Sequence, residues 1–264
     1  MIKKKQIIIG TSAWGSKINF NKSINIGEKI IKMGFSHFDT APTYGGGISH
    51  FILNNLGKKN KIEIDTKFGQ VIKPTPKEIF KRLYRFVNFK SFKESFEFVS
   101  FNNRILYKSD FWEIGNIELY IDKFIKDLSN CELNTFYLHS PPFKILNKTY
   151  VEEFIALLEN KNITPGIAWP DNRDLNLLLN YFPKINLQLS IDNYENSKDI
   201  DFFNLKSLNL NSIFKLKINK NKFYIEKFPS QILKFLQKQD SHKIVLGINS
   251  DKSLLKLNEL VTNL

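Results

Sequence analysis

GFSHFDTAPTYGGG, running from Gly34 to Gly47, begins as a strand over Phe35-Ser36-His37-Phe38 and passes into a turn rich in small residues. Asp39 stands at the strand end, and Tyr44 follows five positions later across a Pro-containing loop. In a parallel barrel the C-terminal ends of the strands and the loops after them form the active face. An ionisable residue at a strand end, with another in the next loop, marks that face.

Working outward, Gly34 stops an amphipathic helix expected over Ile24–Met33, whose apolar positions are Ile26, Ile30, Ile31 and Met33. Before it, Lys5–Gly15 (KQIIIGTSAWG) reads as a buried strand and an active-face loop. Ser49–Leu56 reads as a short helix closed by Gly57. Lys61–Gly69 (KIEIDTKFG) alternates Ile62, Ile64 and Thr66 and ends on Lys67-Phe68-Gly69, a third strand that also finishes on a charge.

Val71–Asn116 interrupts this rhythm. Thr75, Pro76 and Glu78 spell a capping-box start for a helix towards Phe89. The Phe-, Lys- and Arg-dense stretch after it, up to Phe111-Trp112, is too long for an ordinary connection and reads as an insertion over the active face. Alternation then returns: a helix over Ile117–Leu128, a strand over Asn134–Leu138 closed by His139-Ser140-Pro141-Pro142, a helix over Val151–Asn160 and a strand over Ile163–Trp169. A helix over Arg173–Tyr181, strands over Ile185–Asp192 and Ser212–Ile218, a helix over Pro229–Lys238, a strand over Lys243–Ile248 and a helix over Ser253–Val261 complete it. The pattern implies an α/β fold, a closed (β/α)₈ TIM barrel, as one domain over residues 1–264 with 71–116 inserted between the third strand and its helix.

The length of 264 residues suits one such barrel. No apolar run approaches the roughly 20 residues of a membrane span, and MIKKKQIIIG lacks the apolar length and cleavage site of a signal peptide. The single cysteine, Cys131, excludes an internal disulfide, reads as a structural thiol and fits a reducing cytoplasm. The formal charge of +13, from 39 basic and 26 acidic residues, is spread along the chain among Asn, Ile and Phe, a pattern that AT-rich codon usage explains better than a polyanion partner. A single-stranded nucleic-acid platform of bases and aromatics in 71–116 is the weaker reading.

Asp39, Tyr44, Lys67 and His139 now share the active face, and their chemistry is coherent. A phenol near pKa 10 is a poor acid at neutral pH, and a neighbouring ammonium favours its phenolate. A carboxylate holds the lysine charged and placed, and a histidine can orient a carbonyl oxygen. Together they suit protonation of an oxygen that becomes an alkoxide.

Over nearly its whole length and in the same order, the chain resembles the aldo-keto reductase family, through IGTSAWG, GFSHFDTAPTYG, IDTKFG, FYLHSP, PGIAW, NLQLS and VLGINS. The resemblance implies NAD(P)H-dependent reduction of an aldehyde or ketone. It makes Tyr44 the general acid, Lys67 the group that lowers its pKa, Asp39 the partner of Lys67, and His139 the residue that orients the carbonyl. It also implies that Gln188 holds the nicotinamide carboxamide, that Phe214 stacks on the ring, and that Gly247, Asn249 and Ser250 offer backbone N–H groups and a helix N-terminus to phosphate. The expected cofactor is NADP, with NAD as the alternative; no metal is called for, and the oligomeric state is open.

The chain departs from the family pattern after the fifth strand, where Ala168 and Trp169 replace Ser-Asn and Trp169 substitutes through packing or its indole N–H. His50 stands where the family carries an acidic residue and reads as structural. In the last helix Leu254 and Leu257 occupy positions of a basic residue and an Asn, leaving Lys252 or Lys256 to meet a 2′-phosphate. A short C-terminus leaves 71–116 to shape the substrate pocket, and a first strand so near Met1 leaves little room for a bottom hairpin. The competing readings are a non-catalytic barrel that binds nicotinamide nucleotide as a sensor or partner subunit, and a nucleic-acid-associated barrel.

Overall fold

Ile7, Ile8 and Ile9 are all buried, as a strand covered on both faces requires. Ile7 and Ile9 pack into the layer between sheet and helices, while Ile8 meets Tyr137, Ala168 and Val245 inside the barrel. The computed structural model describes residues 4–69, 111–169, 185–190, 212–216 and 243–262.

The described residues hold eight strands: β1 (Ile7–Gly10), β2 (His37–Asp39), β3 (Glu63–Phe68), β4 (Glu132–His139), β5 (Thr164–Trp169), β6 (Asn186–Ser190), β7 (Ser212–Leu216) and β8 (Lys243–Gly247). Each pairs in parallel with the next, and β8 pairs with β1, closing the barrel. The described α-helices are α1 (Phe20–Lys32), α2 (Ile48–Gly57), α3 (Ile114–Asp127), α4 (Lys148–Glu159) and α5 (Asp251–Thr262). The helices expected from Thr75, over Arg173–Tyr181 and over Pro229–Lys238 lie outside the described residues, as do residues 71–110 of the expected insertion. None of the described helices is long and apolar enough to cross a membrane.

Two helix starts moved for the same reason. The helix expected from Ile24 begins at Phe20, because the Asn19 side chain accepts from the Lys22 N–H at 2.9 Å. The helix expected from Val151 begins at Lys148, because Asn147 accepts from the Tyr150 N–H at 2.9 Å. Asparagine caps satisfy N–H groups that a helix start leaves orphaned, and apolar periodicity carries no trace of them. The helix expected from Ile117 starts at Ile114, so the last three residues of the 71–116 span are helical.

The aromatic core is thickest where α3 meets β3 and β4. Phe68 stacks on Phe111 at 4.5 Å between centroids and lies edge-on to Tyr120 at 4.6 Å and Trp112 at 5.6 Å. Gly69, at φ +124, accommodates the Trp112 indole: a Cβ there would sit 2.1 Å from its Cη2 and 2.9 Å from the His139 carbonyl oxygen. Gly69, directly after β3, thereby sits against the end of β4.

At the opposite, N-terminal end of the strands, the His37 Nε2 lies 2.9 Å from Asp65 Oδ1, and the Asn134 amide donates to the same oxygen at 2.9 Å. Burial pushes the Asp65 carboxyl up, but the His37 charge and the hydrogen bonds from His37 and Asn134 outweigh it and leave the group below its usual range. A cavity of about 390 Å³ opens beside them, lined by Lys4, Lys5, Glu63 and Lys243. This end of a barrel serves stability rather than chemistry.

Candidate active site

Asp39 is the last residue of β2, Lys67 the last but one of β3 and His139 the last of β4. Lys67 is in register with Tyr137, His139 with Ala168, and Ala168 with Gln188. The Asp39 and Lys67 side chains are 0% exposed. Lys67 Nζ donates to Asp39 Oδ1 and, at 3.0 Å, to the Thr40 carbonyl. It also lies 5.5 Å from the ring centroid of Tyr44 and 5.9 Å from that of Tyr137, within reach of both π-faces. A buried ion pair is held only when further hydrogen bonds accompany it, and these are present on both partners.

Tyr44 is 9% exposed and opens a 3-10 turn, Tyr44–Gly47. Gly45 has φ +60, and a Cβ on it would sit 2.4 Å from the Trp14 carbonyl oxygen. Only glycine lets this turn close onto the loop after β1. The Trp14 indole N–H in turn donates to the Ile248 carbonyl at 2.9 Å, so the Tyr44 turn leans on a loop tied to the end of β8.

Three hydroxyls that sequence reasoning passed over hold the same corner. Thr11 Oγ1 donates to the Asp39 carbonyl at 3.0 Å and lies 2.6 Å from Ser49 Oγ, which is 3.0 Å from Thr40 Oγ1. All three are buried. Their signal in the chain is faint: small hydroxyl residues in or next to the loops after β1 and β2. Tyr137 was also passed over. Burial, reinforced by the charges of Asp65 and Asp39, pushes its phenol well above the usual range, so it remains neutral inside the barrel.

Gln188 is brought to the same place, 3% exposed, and its Nε2 donates to Asp39 Oδ1 at 2.9 Å. His139 is half-buried at the strand end, and Ser140 after it takes φ +55 while its N–H donates to the Ala168 carbonyl at 2.9 Å. Trp169 is in register with Leu189, and Phe214 with Leu189 and Ile244.

At the other side of the barrel mouth, Gly247 ends β8 and Asn249 and Ser250 lead into α5. The N–H groups of Asn249 and Ser250 both donate to Ser253 Oγ, at 3.0 and 2.9 Å, and Ser250 Oγ accepts from the Ser253 N–H at 3.1 Å. Two amides thus converge on one oxygen at a helix N-terminus, an arrangement that fits a phosphate oxygen once the Ser253 hydroxyl turns aside. Asp251, in the first turn, is held below its usual carboxyl range by its hydrogen bond and charge pairing with Lys29 at 2.8 Å. Lys252 is exposed.

His50 is structural in its surroundings: 1% exposed, with Nε2 3.1 Å from Thr66 Oγ1 and its ring edge-on to Phe124. Burial first, then the charges of Lys123 and Lys67, lower its pKa from 6.5 to about 3. Between those values the unfolded chain binds a proton that the folded chain refuses. Stability is therefore full above 6.5 and falls as pH drops through this window, by up to about 1.4 kcal/mol per unit. Melting temperatures at pH 7 and 4.5 read this directly, and His50→Gln flattens the slope; a variant as pH-sensitive as wild type would assign the loss to other groups. Cys131 is a half-buried thiol whose Sγ lies 3.5 Å from the Leu53 carbonyl, and burial pushes it up to about 12, which makes it inert.

Several solved structures share this architecture. A thermostable aldo-keto reductase in complex with the inhibitor epalrestat aligns over 97% of this chain and 89% of its own, with a TM-score of 0.62 at 14% identity. An aldo-keto reductase from Bacillus halodurans in its holo form aligns over 97% of this chain and 86% of its own, with a TM-score of 0.64 at 13% identity. An aldo/keto reductase from Klebsiella pneumoniae, in complex with NADP and acetate, aligns over 79% of this chain and 62% of its own, with a TM-score of 0.50 at 12% identity. At such identities these likenesses establish the fold. Among curated proteins, none matches the chain in sequence. The sequence model of the aldo/keto reductase family matches residues 6–162, the stretch that carries Asp39, Tyr44, Lys67 and His139, and the chain belongs to that family of oxidoreductases.

Proposed function

We propose that this protein reduces an aldehyde or ketone to an alcohol with a nicotinamide nucleotide, with Tyr44 as the proton donor. The observation that carries the reading is the Lys67 ammonium, shut away from water between the Asp39 carboxylate and the ring of Tyr44. Tyr44 gives its proton to the substrate oxygen as negative charge develops there. Lys67 stabilises the phenolate left behind, Asp39 holds Lys67 in place, and His139 orients the carbonyl. The nucleotide, when bound, supplies the hydride. Gln188, Phe214 and Trp169 would meet its nicotinamide half, and Gly247, Asn249 and Ser250 its phosphates.

NADP is favoured by Lys252, exposed in the first turn of α5, with NAD as the alternative. The Klebsiella pneumoniae structure holds NADP, and that likeness of fold is consistent with a nucleotide across this barrel mouth. The protein works as a single domain in a reducing cytoplasm on a small carbonyl compound.

A second reading, a barrel that binds the nucleotide without turnover, draws on two features. Ala168 offers only a methyl group where the family places a hydrogen-bonding side chain, and Ser253 occupies both amides at the phosphate position. Titration of the protein with NADPH and NADH, followed by turnover on a broad aldehyde and ketone panel, separates the two. Binding with consumption of the nucleotide is the expected result. Binding without consumption would establish the second reading, and failure to bind either nucleotide would overturn both.

A further inference from the structure

We propose that Gln188 is a positioning residue that fixes the Asp39 carboxylate, and through it Lys67, from across the barrel. This rests on the catalytic reading above and gives Gln188 a duty other than holding a carboxamide. In the closed strand order β6 stands opposite β2, four strands away in either direction. Gln188 nevertheless reaches Asp39, with Nε2 2.9 Å from Oδ1. The same oxygen accepts from Lys67, which comes from the adjacent strand β3. A carboxylate held by one neighbour can still rotate about its own bonds. A second donor arriving from the far wall removes that freedom and presents Oδ1 to Lys67 in one orientation.

Both side chains are buried, at 3% for Gln188 and 0% for Asp39, so water does not compete for the bond. A hydrogen bond to an ionised carboxylate is about twice as strong as a neutral one. It engages one of the two amide N–H groups of Gln188 and leaves the carbonyl oxygen for a different partner. One residue can then touch the nucleotide and hold the proton-transfer group at once.

The test is a four-protein cycle of wild type, Gln188→Glu, Asp39→Asn and the double variant. Gln188→Glu sets two carboxylates against each other, and kcat is expected to fall about a hundredfold, the cost of misplacing a reacting group by about 1 Å. The double variant restores an acid–amide pair with the roles exchanged. Its melting temperature is expected to exceed that of Gln188→Glu, and its kcat to recover about tenfold. The nucleotide Kd is expected to match that of Gln188→Glu, because position 188 is the same in both.

Additive changes in melting temperature would overturn the proposal. So would kcat and nucleotide Kd moving together in every variant, which would confine Gln188 to the nucleotide. If Gln188→Glu does not fold, Gln188→Leu takes its place in the cycle, and its melting penalty is expected to shrink on the Asp39→Asn background. The melting arm needs neither nucleotide nor turnover. A wild-type protein that reduces no carbonyl therefore defeats the catalytic reading, while this cycle still decides the Gln188–Asp39 coupling.

Discussion

Tyr44→Phe lowers carbonyl turnover by about 10²–10⁴-fold, the usual worth of a positioned general acid, and leaves nucleotide affinity unchanged. The substitution removes one oxygen and nothing else. The ring keeps its place in the turn that Gly45 packs against Trp14, and Lys67 keeps a π-face at 5.5 Å from the centroid. Cation–π attraction needs the ring and not the hydroxyl, so the ion pair with Asp39 is undisturbed. The loss should therefore fall on kcat, measured as nucleotide consumption on the best substrate of the panel, while fluorescence titration gives a wild-type Kd. Wild-type turnover by the variant would remove Tyr44 from the chemistry.

Lys67→Met produces the largest expected loss of stability. Asp39 is fully buried, and its ionic partner is Lys67. Removing one member of a buried pair leaves an uncompensated charge, at a cost of about 3–5 kcal/mol. For a chain of this size that corresponds to a fall in melting temperature of roughly 6–20 °C. The one N–H that Gln188 places on the carboxylate cannot neutralise a full charge. Adding Asp39→Asn to Lys67→Met removes the stranded charge and should restore most of the lost melting temperature without restoring turnover. A Lys67→Met protein melting within about 2 °C of wild type would mean that the carboxylate has water or another cation beside it, and the buried site as described would be wrong.

The parallel α/β architecture was legible because it is written in local periodicity. The Ile run of β1, the alternation from Ile62 through Ile64 and Thr66 into β3, and the apolar stripe of α1 each state an element without reference to the rest of the chain. Helix starts were less legible. Asn19 and Asn147 act through single side-chain hydrogen bonds that periodicity does not record. Asp39, Lys67 and His139 could be brought together on paper because all three stand at or beside strand ends, and strand ends of a parallel barrel meet on one face.

Contacts made across that face could not be read in the same way. Gln188 lies far along the chain from Asp39, and nothing in NLQLS says that its amide meets a carboxylate rather than a ligand. Ser253 reads as an ordinary helix residue, yet its hydroxyl fills the place where two amides converge. By itself the sequence determined the order of the described elements, the barrel they imply and the standing of Asp39, Lys67 and His139 at or beside strand ends. The tertiary structure alone decided which of those side chains hold one another. The order of elements follows from short-range backbone and burial preferences, whereas the partners of a buried side chain depend on which strands face each other across the closed lumen.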